Sequence, residues 1–416
     1  MTEGLPKAVS DKLWTKYYII AMFVSLAFGI CSSIHMTTLP LYALHIGGDK
    51  SVAGLLTGLF SFSALLFRPF WGKLIDIRGR KIILLAGIMV TTLVSFAYSF
   101  AYAVVILLVL RFIHGIGMSA QSTSTGTIVA DLVPASRLME GIGYFGVSNI
   151  LATAIGPALG LYLIDIGGFK FLYLVTFAIS VLGLAIAMFI NYEKDGIPTT
   201  QQQEKIHHVI PEGETAAVDE SVNKRALFEK SALAPALVML FVAFAMSSVI
   251  SFLPLYAISK NINNIGMFFT VYAAALLVSR LFSGRLTDRY GVTIVFIPGI
   301  AIFIISLVII AISTSLQILL CAAILYGLGS GTLMPILNGI TIRLSPLDRR
   351  GAANATFFAS IDIGMGVGSI VWGFVSQYEG FSAIYFGAAA VSVISVLLYV
   401  FILRRKLNLF GKVPNY

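Results

Sequence analysis

Residues 68–81 read Arg68-Pro69-Phe70-Trp71-Gly72-Lys73-Leu74-Ile75-Asp76-Ile77-Arg78-Gly79-Arg80-Lys81, and four of them return 212 positions later as Arg280, Gly284, Asp288 and Gly291. The same displacement carries Gly115 and Gly117 onto Gly327 and Gly329, Pro134 and Arg137 onto Pro346 and Arg349, and Gly156 onto Gly368. Upstream, Leu39-Pro40-Leu41-Tyr42-Ala43 returns as Leu253-Pro254-Leu255-Tyr256-Ala257 at a displacement of 214, so one two-residue indel separates the blocks. Chance similarity between apolar stretches would not keep Arg, Asp, Pro and Gly in one register. The chain is an internal duplication.

The composition says what is duplicated. Of 416 residues, 58% are hydrophobic and 11% charged, against about 25% charged in an ordinary soluble chain. A water-soluble enzyme, a disordered scaffold and a secreted disulfide module are excluded. Cys31 and Cys321 lie in apolar runs without metal-ligand or redox spacing. A spanning helix needs about 20 mostly apolar residues, and twelve stretches qualify: 17–45, 51–71, 82–102, 104–130, 140–165, 169–191, 232–258, 264–284, 292–313, 316–343, 352–376 and 380–403. The fold expected is all-α and integral to the membrane, with residues 1–191 as a six-helix bundle and 192–231 as a cytoplasmic linker. Residues 232–416 form a second six-helix bundle with a short cytoplasmic tail.

With an even number of spans both termini share one side. That side receives twenty-two of the 28 Lys and Arg residues, and the opposite loops only Lys50, Lys170 and Lys260. The positive-inside bias places the termini and the linker in the cytoplasm, so the net charge of +9 reads as topology and not as a nucleic-acid surface. The linker carries Gln201-Gln202-Gln203 and His207-His208. Adjacent histidines in a polar loop read as solvated, and no metal site is expected.

Two halves of equal polarity in the membrane are the parallel-repeat layout of transporters that rock one bundle against the other around a midplane site. The loop Gly72 to Lys81 resembles the signature G-x-x-x-D-[RK]-x-G-R-[RK] of the major facilitator superfamily, departing at Ile77. Its second copy has Asp288-Arg289-x-Gly291 followed by Val292-Thr293 in place of the basic pair. Arg111, His114, Gly115 and Gly117 resemble the family's R-x-x-x-G pattern in span four. Ala152-x-x-x-Gly156-Pro157-x-x-Gly160-Leu161 in span five is similar to its antiporter signature, with Ala152 and Leu161 replacing two glycines.

The resemblance implies a gate built from Gly72, Asp76, Arg78, Gly79 and Arg80 with Gly284, Asp288 and Arg289 as a weaker second copy. Glycine would let helices approach at the cytoplasmic face, and the carboxylate of Asp76 would engage a helix amino terminus or an arginine in one conformation only. It also implies that Arg111 influences proton transfer, and that Gly156, Pro157 and Gly160 accompany export in exchange for protons.

The repeat separates scaffold from site. Residues matched in both halves, Arg68 and Arg280 among them, are expected to gate or anchor helix ends. Residues without a match are expected to serve substrate or protons: Arg111 aligns with Ala323, His114 with Tyr326, His35 with Val249 and Asp362 with Ile150. Asp362 is the carboxylate placed deepest within a span, and an ionisable group there is a functional-site hypothesis. The proton-coupling candidates are therefore Asp362, Arg111, His35 and His114. Candidates for the substrate cavity are His35, Gln121, Asn149, Tyr272, Asn338 and Asn354.

The expectation is a secondary active transporter, similar to drug/proton antiporters and exporters of small metal-chelating metabolites. It needs no cofactor, acts as a single chain, and has a small molecule, protons and the lipid bilayer as its partners. A proton symporter importing a sugar or carboxylate is the competing transport reading, and a receptor or scaffold that binds without moving its ligand is the competing class. An enzyme is not expected, because no metal cluster, nucleophile elbow or phosphate-binding loop is present in the sequence.

Overall fold

The computed structural model describes residues 13–134, 137–193, 229–346 and 349–410. The His207-His208 pair and most of the linker lie outside the described residues, as do the side chains of Asp76 and Asp288. In chain order the first half contains α1 (Lys16–His45), α2 (Lys50–Arg78), α3 (Arg80–Tyr98), α4 (Val104–Leu132) and α5 (Leu138–Ala187). The second contains α6 (Leu233–Ser259), α7 (Gly266–Tyr290), α8 (Val292–Ile312), α9 (Leu316–Leu344), α10 (Arg350–Tyr378) and α11 (Phe381–Leu398). After α11 come one π turn, Tyr399–Leu403, and the short α12 (Arg404–Phe410).

Local chemistry sets the boundaries. Thr15 caps α1 by accepting from the Tyr18 amide at 3.3 Å, and Asp49 caps α2 by accepting from the Val52 amide at 2.9 Å. Gly79 and Gly291 divide α2 from α3 and α7 from α8 at φ of 90° and 88°, a region that glycine enters without a Cβ penalty.

Eleven helices among the described residues are long and apolar enough to cross a membrane, yet they make twelve crossings. α5 has 50 residues, about 75 Å of helix at 1.5 Å per residue, more than twice the ~30 Å hydrocarbon layer. Gly168, at φ 72°, breaks it into two limbs. Its repeat counterpart Gly380, at φ 85°, separates α10 from α11. The break thus falls between the fifth and sixth spans expected from the sequence.

The duplication is also visible in side-chain packing. Tyr42 and Tyr173 have ring centroids 5.3 Å apart, and their counterparts Tyr256 and Tyr385 are 5.1 Å apart. Gly117 packs on the Gly87 backbone as Gly329 packs on that of Gly299, so a Cβ would stand 3.0 and 2.9 Å from the respective carbonyl oxygens.

The halves are interlocked at one end and apart at the other. At the end holding Gly168 and Gly380, α2 lies directly on α10. A Cβ on Gly54 would overlap the Ser369 carbonyl, and one on Gly373 would stand 3.1 Å from the Ser51 carbonyl oxygen. The Lys50 ammonium donates to the Ser376 carbonyl at 3.1 Å, and Ser251 Oγ lies 3.1 Å from both Thr57 Oγ1 and Ser369 Oγ. At the opposite end, holding Gly79 and Gly291, the positions facing out from Gly72, Gly126, Gly143, Gly284, Gly339 and Gly351 are open space. The close approach expected at Gly72 and Gly284 is not made in this conformation. The space between the halves opens toward the Gly79 end.

Candidate functional site

Among the described residues, one ion pair, between α2 and α10, bridges the halves. Arg68 on α2 places Nη2 2.9 Å from Asp362 Oδ2 on α10, with both side chains about a quarter to a third exposed. The pair is a close charge contact and not an aligned hydrogen bond, for Arg68 Nε and Asp362 Oδ2 have no hydrogen-bond partner. Asp362 sits where the sequence expected it, deep within a span. Arg68, expected to gate or anchor a helix end, neutralises it across the domain gap. Removing either charge would leave the other in a site of low polarity, the costly half of any such pair.

Elsewhere between the halves, the first limb of α5 faces α7 and α9 across a cavity of about 580 Å³. Val147, Ile150, Leu277 and Met334 give it apolar walls, with Arg280 and Asn338 as polar members. Arg280 Nη2 lies 3.7 Å from Met334 Sδ, while its Nε and Asn338 Oδ1 have no hydrogen-bond partner. Of the residues expected to line the substrate cavity, Asn338 borders this one. Asn149 is exposed, and Asn354 is half-buried on α10 with an unpartnered Oδ1. Tyr272 is buried in the second half against Tyr326, with ring centroids 5.1 Å apart. Gln121 is buried between α3 and α4, where its backbone amide meets Gly87.

His35, Arg111 and His114 come together, but inside the first half and not in the gap. His35 is fully buried, with Nε2 3.1 Å from Thr176 Oγ1. Its ring centroid is 5.2 Å from that of His114, whose Nδ1 is 3.0 Å from the Tyr98 hydroxyl. Arg111, 1% exposed, donates from Nε to the Leu56 carbonyl at 3.3 Å and from Nη2 to Met36 Sδ at 2.7 Å. Its guanidinium lies 4.1 Å from the Phe60 ring centroid, a cation–π contact strengthened by exclusion of water. Arg111 Nη1, His35 Nδ1 and the Tyr173 hydroxyl are left without partners. Tyr98 and Tyr173 were not read from the sequence, because their significance depends on three helices meeting.

The signature loop is tied down within its own half. Arg80 Nε contacts Asp131 Oδ2 at 3.2 Å, and the Tyr192 hydroxyl donates to the same oxygen at 2.8 Å. The Glu193 carboxylate accepts from the Arg80 and Lys81 amides at 2.8 and 3.2 Å, an anion at the amino terminus of α3. Burial, with Asp131 beside it, pushes the Tyr192 phenol above its usual range. In the second half Arg349 reaches Glu229 at 2.6 Å, and its hydrogen bond holds that carboxylate below the usual range. Arg137 does the same for Glu140 at 2.8 Å. Arg78 is exposed, and Arg289 is exposed with its guanidinium 5.3 Å from the Tyr290 ring centroid.

Gly156 and Gly160 fit α5 onto α1: a Cβ would stand 3.0 Å from the Ile30 carbonyl oxygen at the first and 3.0 Å from Thr38 Cγ2 at the second. Pro157 lies between them inside the same limb. The glycines that lock the halves together, Gly54, Gly58, Gly366 and Gly373, were missed by the sequence reading. Their signal was present: Gly54-x-x-x-Gly58 is the small-residue spacing of closely packed spanning helices.

Comparison with known proteins agrees with this architecture. The family model described as Major Facilitator Superfamily matches residues 21–263 and 236–412. The multi-drug resistance efflux pump PmrA homolog of Lactococcus lactis is 27% identical over 398 residues, covering 92% of this chain and 94% of that one. The staphylopine export protein of Staphylococcus aureus is 23% identical over 394 residues, with coverages of 92% and 94%. The multidrug resistance protein MdtG of Escherichia coli is 25% identical over 406 residues, with coverages of 94% and 96%. Among solved structures, a bacterial homolog of the human lysosomal transporter Spinster, in an inward-facing and unoccupied conformation, superposes with a TM-score of 0.73 at 15% identity, covering 92% of this chain and 95% of that one. A POT family transporter in complex with 5-aminolevulinic acid gives 0.71 at 14%, with coverages of 97% and 98%. The duplicated bundles, the gap between them and the family match together show that this chain belongs to the Major Facilitator Superfamily, as a multi-pass membrane transporter of a small-molecule substrate.

Proposed function

We propose that the protein is a proton-coupled exporter of small organic molecules, lying in the cytoplasmic membrane with both termini and the Gly79 end inside the cell. The two bundles, residues 1–191 and 232–416, are the moving bodies and 192–231 the linker between them. The observation that carries the reading is the Arg68–Asp362 contact, which joins the bundles across the gap.

The contact works as a two-state element. With Asp362 ionised, its attraction to Arg68 holds α2 to α10 and the cavity opens toward the Gly79 end. A proton arriving at Asp362 removes one charge, frees Arg68 and weakens the contact between the bundles. Differential stabilisation of two conformations by one proton is all that coupling requires. The relatives named as drug and metabolite exporters, and the Gly156-Pro157-Gly160 limb packed on α1, support export over uptake.

The test is transport into sealed proteoliposomes under imposed proton gradients. Antiport predicts that substrate moves against a gradient when protons flow the opposite way, and that Asp362→Asn abolishes this driving while exchange of labelled for unlabelled substrate persists. Substrate and protons moving in the same direction would establish symport instead.

A further inference from the structure

Arg68 and Arg280 are repeat counterparts, and so are Asp362 and Ile150, each pair displaced by 212 residues. The structure places both relationships between the halves. Arg68 of the first half meets Asp362 of the second, while Arg280 of the second half shares a cavity with Ile150 of the first. The repeat positions correspond and the chemistry does not: one arginine has its carboxylate at 2.9 Å, and the other shares its cavity with a hydrocarbon side chain at the repeat-equivalent position. Arg280 Nε has no hydrogen-bond partner, and Met334 Sδ at 3.7 Å is a poor substitute for an anion.

We infer that the cavity between α5, α7 and α9 is a recognition subsite for an amphipathic organic anion, whose carboxylate takes the place that Ile150 leaves without charge. The inference rests on the transporter reading above and names the class of its substrate. An arginine can hold a carboxylate through two parallel N–H bonds. Val147, Ile150, Leu277, Leu281 and Met334 offer an apolar body the walls it needs, and the unpartnered Asn338 Oδ1 offers an acceptor for a substrate N–H or O–H. The volume of about 580 Å³ is that of ordinary small-ligand sites. Glu140 also borders the cavity, but lies ten residues from Ile150 toward the Gly79 end and is held by Arg137. The entering anion would complete a second ion pair between the halves, symmetric with the first. Substrate and proton would then act on equivalent contacts: one makes the Arg280 pair, the other unmakes the Arg68 pair.

The test uses the full chain purified in detergent and two probes of one shape, naphthylacetate and its neutral analogue naphthylacetamide. The wild type should bind the anion about tenfold more tightly than the amide, the order expected for one charge-assisted contact. Arg280→Gln should erase that difference. Ile150→Asp should abolish binding of the anion by supplying the carboxylate internally, while Ile150→Asn, of similar size, should retain it. Equal binding of the two probes by the wild type, including the absence of binding by either, would overturn the proposal, as would an anion preference that survives in Arg280→Gln. Proteoliposomes keep the two readings apart. Binding with charge preference but no exchange of labelled naphthylacetate would contradict transport and leave the subsite standing. Exchange of other compounds with no charge preference would do the reverse.

Discussion

The two halves share a backbone plan and fill it with opposite chemistry. Around span four of the first half, His35, Tyr98, Arg111, His114 and Tyr173 form a buried polar cluster with three unpartnered polar atoms. The equivalent positions of the second half are Val249, Ile310, Ala323, Tyr326 and Tyr385, and Tyr326 instead packs among Phe268, Tyr272 and Phe303. The same contrast holds in the gap, where Arg68 is neutralised and Arg280 is not. A duplicated fold gives the motion, because two similar bodies can rock about a common gap. The departures from symmetry give that motion something to respond to.

The largest effect is expected at the charge that only one half carries. Asp362→Asn should reduce gradient-driven transport to background with normal protein abundance, whereas Asp165→Asn, at the other end of the first limb of α5, should leave it near wild type. Proton-driven transport measured in proteoliposomes checks both, and full activity of the Asp362 variant would remove that residue from the coupling.

Next comes the buried cluster. Arg111→Met should leave the Asp362-dependent response of transport to pH in place, cost no thermal stability and gain up to about 2 kcal/mol, since an apolar replacement relieves a buried charge without a carboxylate among its described contacts. The converse change in the second half, Tyr326→His, should lower stability without conferring coupling. Melting in detergent beside pH–transport profiles separates the two effects; a large stability loss in Arg111→Met would make Arg111 a structural brace.

A smaller effect is expected at the interlocked end. Gly54→Ala places a methyl group against the Ser369 carbonyl and should cost about 1–3 kcal/mol, the range for overpacking. Gly72→Ala, which meets open space in this conformation, should leave melting unchanged. Equal losses at the two glycines would contradict the difference between the ends.

The smallest is expected at the half-buried Glu229–Arg349 pair. Because Arg349 holds the Glu229 carboxylate below its usual range, its contribution is present above the unfolded carboxylate range and is lost as pH falls through the lowered folded value. Glu229→Gln should therefore melt slightly earlier than wild type at neutral pH, with the gap closing below about pH 4. A gap that widens in acid would reverse the assignment.

Much of the fold was legible because spanning a membrane forces long apolar runs, and because duplication repeats glycines whose backbone roles cannot be substituted. Gly168 and Gly380 mark equivalent breaks in both the sequence and the structure. The site was legible only in part. Asp362 stood out as a carboxylate within an apolar span, but its partner did not. Repeat logic assigned Arg68 to the scaffold since Arg280 matched it, when the informative difference lay in what each arginine faces. His35 and Gln121 looked like cavity residues because polarity within a span signals a wet surface, but both are buried inside the first half, with His35 Nδ1 and Gln121 Oε1 without a hydrogen-bond partner. Asp131 escaped attention at the edge of its expected span, for its partners Arg80 and Tyr192 come from distant parts of the chain.

The central claim is that the charge on Asp362 sets which way the bundles open. Distances between spin labels placed across the Gly79 end, at Lys73 and Arg285, both exposed, test it in the full chain in lipid. The account predicts that Asp362→Asn shifts the distribution to shorter distances, and that acid does the same to the wild type but not to the variant. Identical distributions in the wild type and the variant at every pH would contradict it.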